Sequence, residues 1–295
     1  LNPNPDVGRG PLLFPQQPQQ QPQQQPGDQA FRRFREPVEV ALLHGADESL
    51  TAAFVDDEGR LQMYSGWQQQ WRPLKAPLRE RLVVGAPVAL VADANGGLPA
   101  AFTVSARGDL LEILDGQRTR SISDRSAFVP GTHLVSTGSP RFPSLAAVDV
   151  RGRIWDISLG GGRSNPIEAN FDRYAPGIPL ASVDLGGSQE LFVIDRRGTL
   201  VNYRGSRGRW EGPDPIARGF APGGHVAATL LPNGVNAELL VSSVDATGQL
   251  RNFRLAGNGW ADVPLGQISL PPGAAVSVAR AADGIHVSGV TSNGT

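Results

Sequence analysis

Three observations predict an all-β chain folded as a β-propeller. One turn motif recurs five times at near-constant spacing, each repeat has room for four short strands, and no segment of ten or more residues carries helical periodicity. The motif is an acidic or polar residue, two variable residues, Gly, one variable residue, then Leu or Ile. It stands at Asp56–Gly59–Leu61, Ser105–Gly108–Leu110, Asp149–Gly152–Ile154, Asp195–Gly198–Leu200 and Asp245–Gly248–Leu250, with Gly-to-Gly spacings of 49, 44, 46 and 50. Units of this length with four strands each match propeller blades; a β-helix has shorter coils, and a single sandwich does not repeat its turns.

The elements follow in chain order. Residues 1–30 stand apart: Pro15–Pro26 is pure Gln and Pro, with nothing to bury, and reads as a solvated, extended arm. The propeller is expected over residues 31–295. In each unit the Asp-x-x-Gly element is a tight turn, because Asp bonds the backbone two residues on and Gly supplies a positive φ. In the fourth unit the strands are expected at Pro179–Val183, Glu190–Ile194, Leu200–Arg204 and around Trp210. Five residues after each motif Gly stand Tyr64, Ile113, Ile157, Tyr203 and Phe253; twelve after it stand Trp71, Arg120, Ser164, Trp210 and Trp260. Pro-Gly pairs at Pro130, Pro176, Pro222 and Pro272 mark crossings between units. After the fifth unit, Ala275–Val290 supplies two more strands, and Thr291–Gly294 repeats the turn. The expectation is six blade positions: five complete blades and a half-blade, either closed by an N-terminal strand around Phe31–Arg35 or truncated.

Composition narrows the function. The 36 glycines and 25 prolines of 295 residues make up about a fifth of the chain, against roughly 12% in ordinary proteins; much of the Pro lies in the N-terminal arm, and elsewhere Gly recurs at one turn per unit with Pro-Gly pairs at four crossings. A net charge of −1 argues against a nucleic-acid or anionic-membrane partner, and no run approaches the ~18 apolar residues of a membrane span. With no Cys, disulfides, thiolate metal sites and cysteine nucleophiles are excluded. The chain opens at Leu1 without a basic-then-apolar leader, so either a presequence has been removed or the chain starts inside a longer gene.

Chemistry-bearing residues are few. His133 and His225 share one register at the start of the innermost strand in the third and fifth units, which places both near a mouth of the central channel. No third ligand shows metal-like spacing, so no metal or cofactor is expected. The repeated aspartates sit one per unit in turns, too far apart for the paired carboxylates or the Ser/His/Asp set of a hydrolase, and no enzyme is expected. Glu112, Asp156, Asn202 and Asn252, one position before the Tyr/Ile/Phe series, fall near blade edges or inter-blade grooves. Trp71, Trp210 and Trp260 occupy the outer strand. An indole face packs on the apolar face of a sugar, or caps the outer strand against the next blade.

The unit Leu191–Ile216, with its apolar–Asp–x–x–Gly–x–Leu run, following aromatic and Trp, resembles the repeats of lectin-type propellers. Among these are the fucose-binding propellers of insect-pathogenic bacteria and the tachylectin-like five-bladed lectins. The resemblance covers Pro37–Gly294. It implies sugar sites in the grooves between blades, stacked on Trp or Tyr and held by charged and amide side chains. Carried over by position, the stacking residues are Trp71, Trp210 and Trp260, with Asn202, Arg204, Asn252 and Arg254 as polar partners; Arg120 and Ser164 depart from the pattern. Two readings stand side by side: a non-catalytic carbohydrate-binding propeller, secreted or periplasmic, or a scaffold for another protein, tethered by its Gln/Pro arm.

Overall fold

A computed structural model describes residues 39–44, 49–67, 70–74, 81–93, 97–114, 118–122, 127–139, 142–159, 164–168, 170, 172–206, 208–233, 236–257, 259–264, 268–281 and 284–289. All of them belong to one compact unit, Phe34–Thr295. The Gln/Pro arm, the expected strand at Phe31–Arg35 and the turn at Thr291–Gly294 lie outside the described residues.

The described chain is a ring of five four-stranded blades and a two-stranded sixth sheet. The first blade holds β1 (Ala41–His44), β2 (Leu50–Val55), β3 (Leu61–Trp67) and β4 (Gln70–Pro73). The second holds β5 (Ala89–Val91), β6 (Ala100–Val104), β7 (Leu110–Leu114) and β8 (Arg118–Ser121). The third holds β9 (Leu134–Ser139), β10 (Phe142–Val148), β11 (Ile154–Ser158) and β12 (Asn165–Glu168). The fourth holds β13 (Ala181–Asp184), β14 (Gln189–Ile194), β15 (Thr199–Ser206) and β16 (Arg209–Arg218). The fifth holds β17 (Val226–Asn233), β18 (Asn236–Val244), β19 (Leu250–Ala256) and β20 (Gly259–Asp262), and the sixth sheet holds β21 (Val276–Ala281) and β22 (Gly284–Gly289). Each strand pairs antiparallel with the next, and β1, β5, β9, β13, β17 and β21 lie side by side in that order as the inner strands. No helix among the described residues is long and apolar enough to cross a membrane.

The turns follow the sequence expectation. Asp195 Oδ1 accepts the backbone N–H of Arg197 (2.8 Å) and of Thr199 (2.9 Å), and Gly198 takes φ 69°. Asp56, Asp149 and Asp245 do the same, and Ser105 substitutes its hydroxyl. The motif Gly also fixes the path to the next blade. Gly198 O accepts the N–H of Phe220, and a Cβ on Gly198 would run into the Phe220 carbonyl. Gly59 with Leu82 and Gly248 with Leu270 repeat this arrangement.

The core lies between blades rather than within them. Along β14, Leu191 and Val193 pack against Ala146, Val148 and Ile154 of the third blade, while Phe192 and Ile194 pack against Val226, Leu239 and Val241 of the fifth. Strand alternation thus sends successive residues to opposite neighbours, and both faces are apolar because both are covered. The main departure from the expected strands is β16, which runs to Arg218 because two register shifts against β15 let it follow its partner.

Gly198→Ala should destabilise the protein by about 2–4 kcal/mol, from left-handed strain plus the carbonyl clash. Asp195→Ala, which frees two N–H groups, should cost about 1–2 kcal/mol. Chemical denaturation checks both, and the order of the two effects is the diagnostic result.

Candidate functional site

The alternation that builds the core also composes the grooves. In β15 the pairing of Phe192 with Asn202 and of Glu190 with Arg204 places Glu190, Asn202 and Arg204 on the face turned to the fifth blade. In β11, Asp156 pairs with Ala146 and faces the fourth blade. The outer-strand Trp residues point the opposite way, toward the preceding blade. Trp210 donates from Nε1 to Asp156 Oδ2 at 3.0 Å across the third and fourth blades. Trp260 meets Phe192 edge-on at 5.7 Å across the fourth and fifth. Each of these grooves therefore joins the polar side chains of one blade to the indole of the next.

This rearranges the sequence-derived set. Asn202 and Arg204 share a groove with Trp260 and face away from Trp210, whose polar neighbour is Asp156. Asn252 and Arg254 face the sixth sheet: Ser242 Oγ donates to Asn252 Oδ1 at 2.8 Å, and Arg254 pairs with Glu238 at 3.3 Å. Trp71 lies flat over Gly66, as Trp210 does over Gly205, so that a Cβ on either glycine would meet the ring. Arg120 differs: it pairs with Glu112 of its own blade (Nε to Oε2 2.7 Å), on the face turned to the third blade. Trp155, off the Trp register, donates to Asp149 Oδ2 and lies under Arg153, bracing a turn.

The groove between the fourth and fifth blades has the fullest polar set. Glu190 is 2% exposed and accepts from Asn202 Nδ2 (2.6 Å) and Arg204 Nε (3.0 Å). A carboxylate this deeply buried requires such partners; it fixes the amide and leaves the Arg204 guanidinium half exposed at the groove. Both Asn202 and Arg204 were legible from the repeat; Glu190 was not, because no repeated signal marks its position. In the neighbouring groove, Asp156 Oδ1 is buried without a hydrogen-bond partner.

Beneath that groove lies a second buried polar cluster. Tyr203 Oη donates to Glu168 Oε2 at 3.0 Å, and the Tyr174 hydroxyl is 2.7 Å from that of Tyr203. The Asn170 N–H caps Glu168 Oε1, and Arg173 Nη1 stands 3.4 Å from Oε2. Burial pushes the Tyr174 hydroxyl up to about 12 and the Tyr203 hydroxyl further, the latter helped by Tyr174 and Glu168, so both phenols stay protonated donors. The cluster joins β12, the crossing that follows it and β15, and it ties the third blade to the fourth.

His133 and His225 also meet. Their rings lie edge-on with centroids 5.2 Å apart, and His133 Nδ1 is 3.2 Å from Glu39 Oε2. Among the described residues no group of three or more His, Asp or Glu side chains has the geometry to hold a metal ion.

No family model matches the sequence, and no curated protein sequence matches it. Solved structures do. A lectin, BP39L, from Burkholderia pseudomallei is similar with a TM-score of 0.58 at 21% identity, over 88% of this chain and 97% of that one. The lectin SapL1, solved in complex with α-methyl fucoside, gives a TM-score of 0.61 at 17% identity, over 82% and 84%. The lectin of Aleuria aurantia, described as a six-bladed β-propeller with a fucose recognition mode, gives 0.58 at 15% identity, over 87% and 96%. At these identities the likeness establishes the propeller fold.

Tyr203→Phe should destabilise the protein by about 1–3 kcal/mol, because it removes the hydroxyl donor to buried Glu168 Oε2 and leaves the Tyr174 hydroxyl without its partner. Urea denaturation of the variant beside wild type measures the loss.

Proposed function

We propose that this chain is a non-catalytic, carbohydrate-binding propeller, with sugar sites in the grooves between blades. The observation that carries this reading is the groove between the fourth and fifth blades, where the Trp260 indole faces a sheet bearing Glu190, Asn202 and Arg204. An aromatic face beside a half-exposed guanidinium suits a polyhydroxylated ligand, because the ring takes the C–H face and Arg204, oriented by buried Glu190, takes hydroxyls. The groove between the third and fourth blades, where Trp210 is held by Asp156 Oδ2, is a second candidate of the same kind.

The solved structures support the reading: each of the three is a lectin, and one holds a fucoside. The carboxylates of these grooves are engaged in structure rather than poised for chemistry. Glu190 and Glu112 are each neutralised by an arginine, and the turn aspartates are spent on backbone N–H groups. On that reading we infer that the protein acts outside the cytoplasm, secreted or periplasmic.

A glycan array that includes α-methyl fucoside, followed by titration calorimetry with the best ligand, tests the proposal. The wild-type chain should bind at least one glycan. Trp260→Ala should weaken the affinity about tenfold, the effect of losing ~1.4 kcal/mol of stacking, while keeping the melting curve of a folded protein. Well-folded protein that binds no glycan overturns the reading.

A further inference from the structure

The geometry points to an acid-responsive tie at the channel mouth, in which Glu39 fastens the entry of the first blade to His133 of the third, and His225 of the fifth senses the proton. Three inner-strand entries that are not neighbours in the ring meet there. Glu39 precedes β1, His133 precedes β9 and His225 precedes β17.

The backbones behind the rings are pinned. The N–H of His133 bonds Gly177 O and that of His225 bonds Gly273 O, while Ser243 Oγ donates to His225 O at 2.7 Å. The side chains therefore cannot part by a simple swing of the main chain. The same register in the remaining blades holds Pro87, Pro179 and Ala275, none of which titrates. Among the described residues, Glu39, His133 and His225 are the ionisable groups that act on one another at this mouth.

Burial holds His225 below its ordinary imidazole value; the charge of His133 pushes the same way, and Glu39 opposes both. Burial alone would raise the carboxyl of Glu39. The hydrogen bond from His133, with the charges of His133 and His225, outweighs it and holds the group below its ordinary value. At neutral pH the tie is a Glu39 carboxylate bonded to His133, with an uncharged His225 ring edge-on to it. Protonation of His225 sets a positive charge edge-on to the His133 ring.

The sign follows from linkage. His225 binds its proton more readily in the unfolded chain, so the stability it confers is full above about pH 6.5 and is lost as pH falls from there through its folded value. Glu39, also depressed, contributes stability above about pH 4.3 that is lost as pH falls below it. Acid weakens the mouth in two steps, and His225 governs the first.

The full chain has four histidines, so proton NMR of their ring resonances resolves each titration. His225 should show a midpoint below that of a free imidazole, and its titration should perturb the His133 resonance. Between pH 7.5 and 5.5 the melting temperature of the wild-type chain should fall by about 2–4 °C. His225→Asn should abolish that fall, and Glu39→Gln should lower the melting temperature at pH 7.5. A His225 midpoint at or above 6.5 overturns the proposal, as does an unchanged pH dependence in folded His225→Asn. The NMR titration needs no variant and decides the matter even where a substitution prevents folding.

Discussion

The bond between the motif glycine and the crossing that follows, seen at Gly59, Gly108, Gly198 and Gly248, holds the ring together. A carbonyl such as Gly198 O both ends a hairpin turn and receives the Phe220 N–H of the segment leading to the next blade. One residue thus sets the hairpin and the spacing between blades at once. The left-handed φ and the lack of room for a Cβ make glycine obligatory there for two separate reasons. The third blade shows how firmly the geometry is held. Its motif Gly152 faces the Tyr174 carbonyl, and the crossing reaches that place through Asp172, the one non-glycine residue with positive φ (62°) among those described.

With spacing fixed in this way, strand alternation decides everything that lies between blades. A residue facing the next blade is followed by one facing the previous blade, so no blade owns its core. The same arithmetic gives each groove two parents. The position four residues after the motif glycine faces forward, and Trp210 and Trp260 face back, so that Asp156 meets Trp210, and Asn202 shares a groove with Trp260.

That arithmetic also explains what could be read in the sequence. The blade repeat, the turns and the Trp register rest on local rules, namely glycine dihedrals, Asx hydrogen bonds and strand periodicity, and all of them were legible. The partnership of Asn202 with Trp260 rather than Trp210 was not, because it depends on the handedness with which blades stack. Arg120 shares the sequence offset of the three Trp residues yet turns to the other face, because it pairs directly with Glu112 across β7 and β8. Glu39 and Glu190 carry no repeat signal; each owes its place to a contact, with His133 in one case and with Asn202 and Arg204 in the other.

The forward-facing position is polar in four blades, and each solves the resulting problem differently. Its side chain is pressed against the neighbouring blade and must find partners, on its own blade or the next, or leave a desolvated group unpaired. Glu112 takes an arginine from its own outer strand, Asp156 takes the indole N–H of the next blade, Asn202 takes a buried glutamate, and Asn252 takes the Ser242 hydroxyl. A ligand entering any groove competes with, or is oriented by, a different set of bonds in each. The fold supplies the repeated grooves, and these local solutions make them chemically unlike one another.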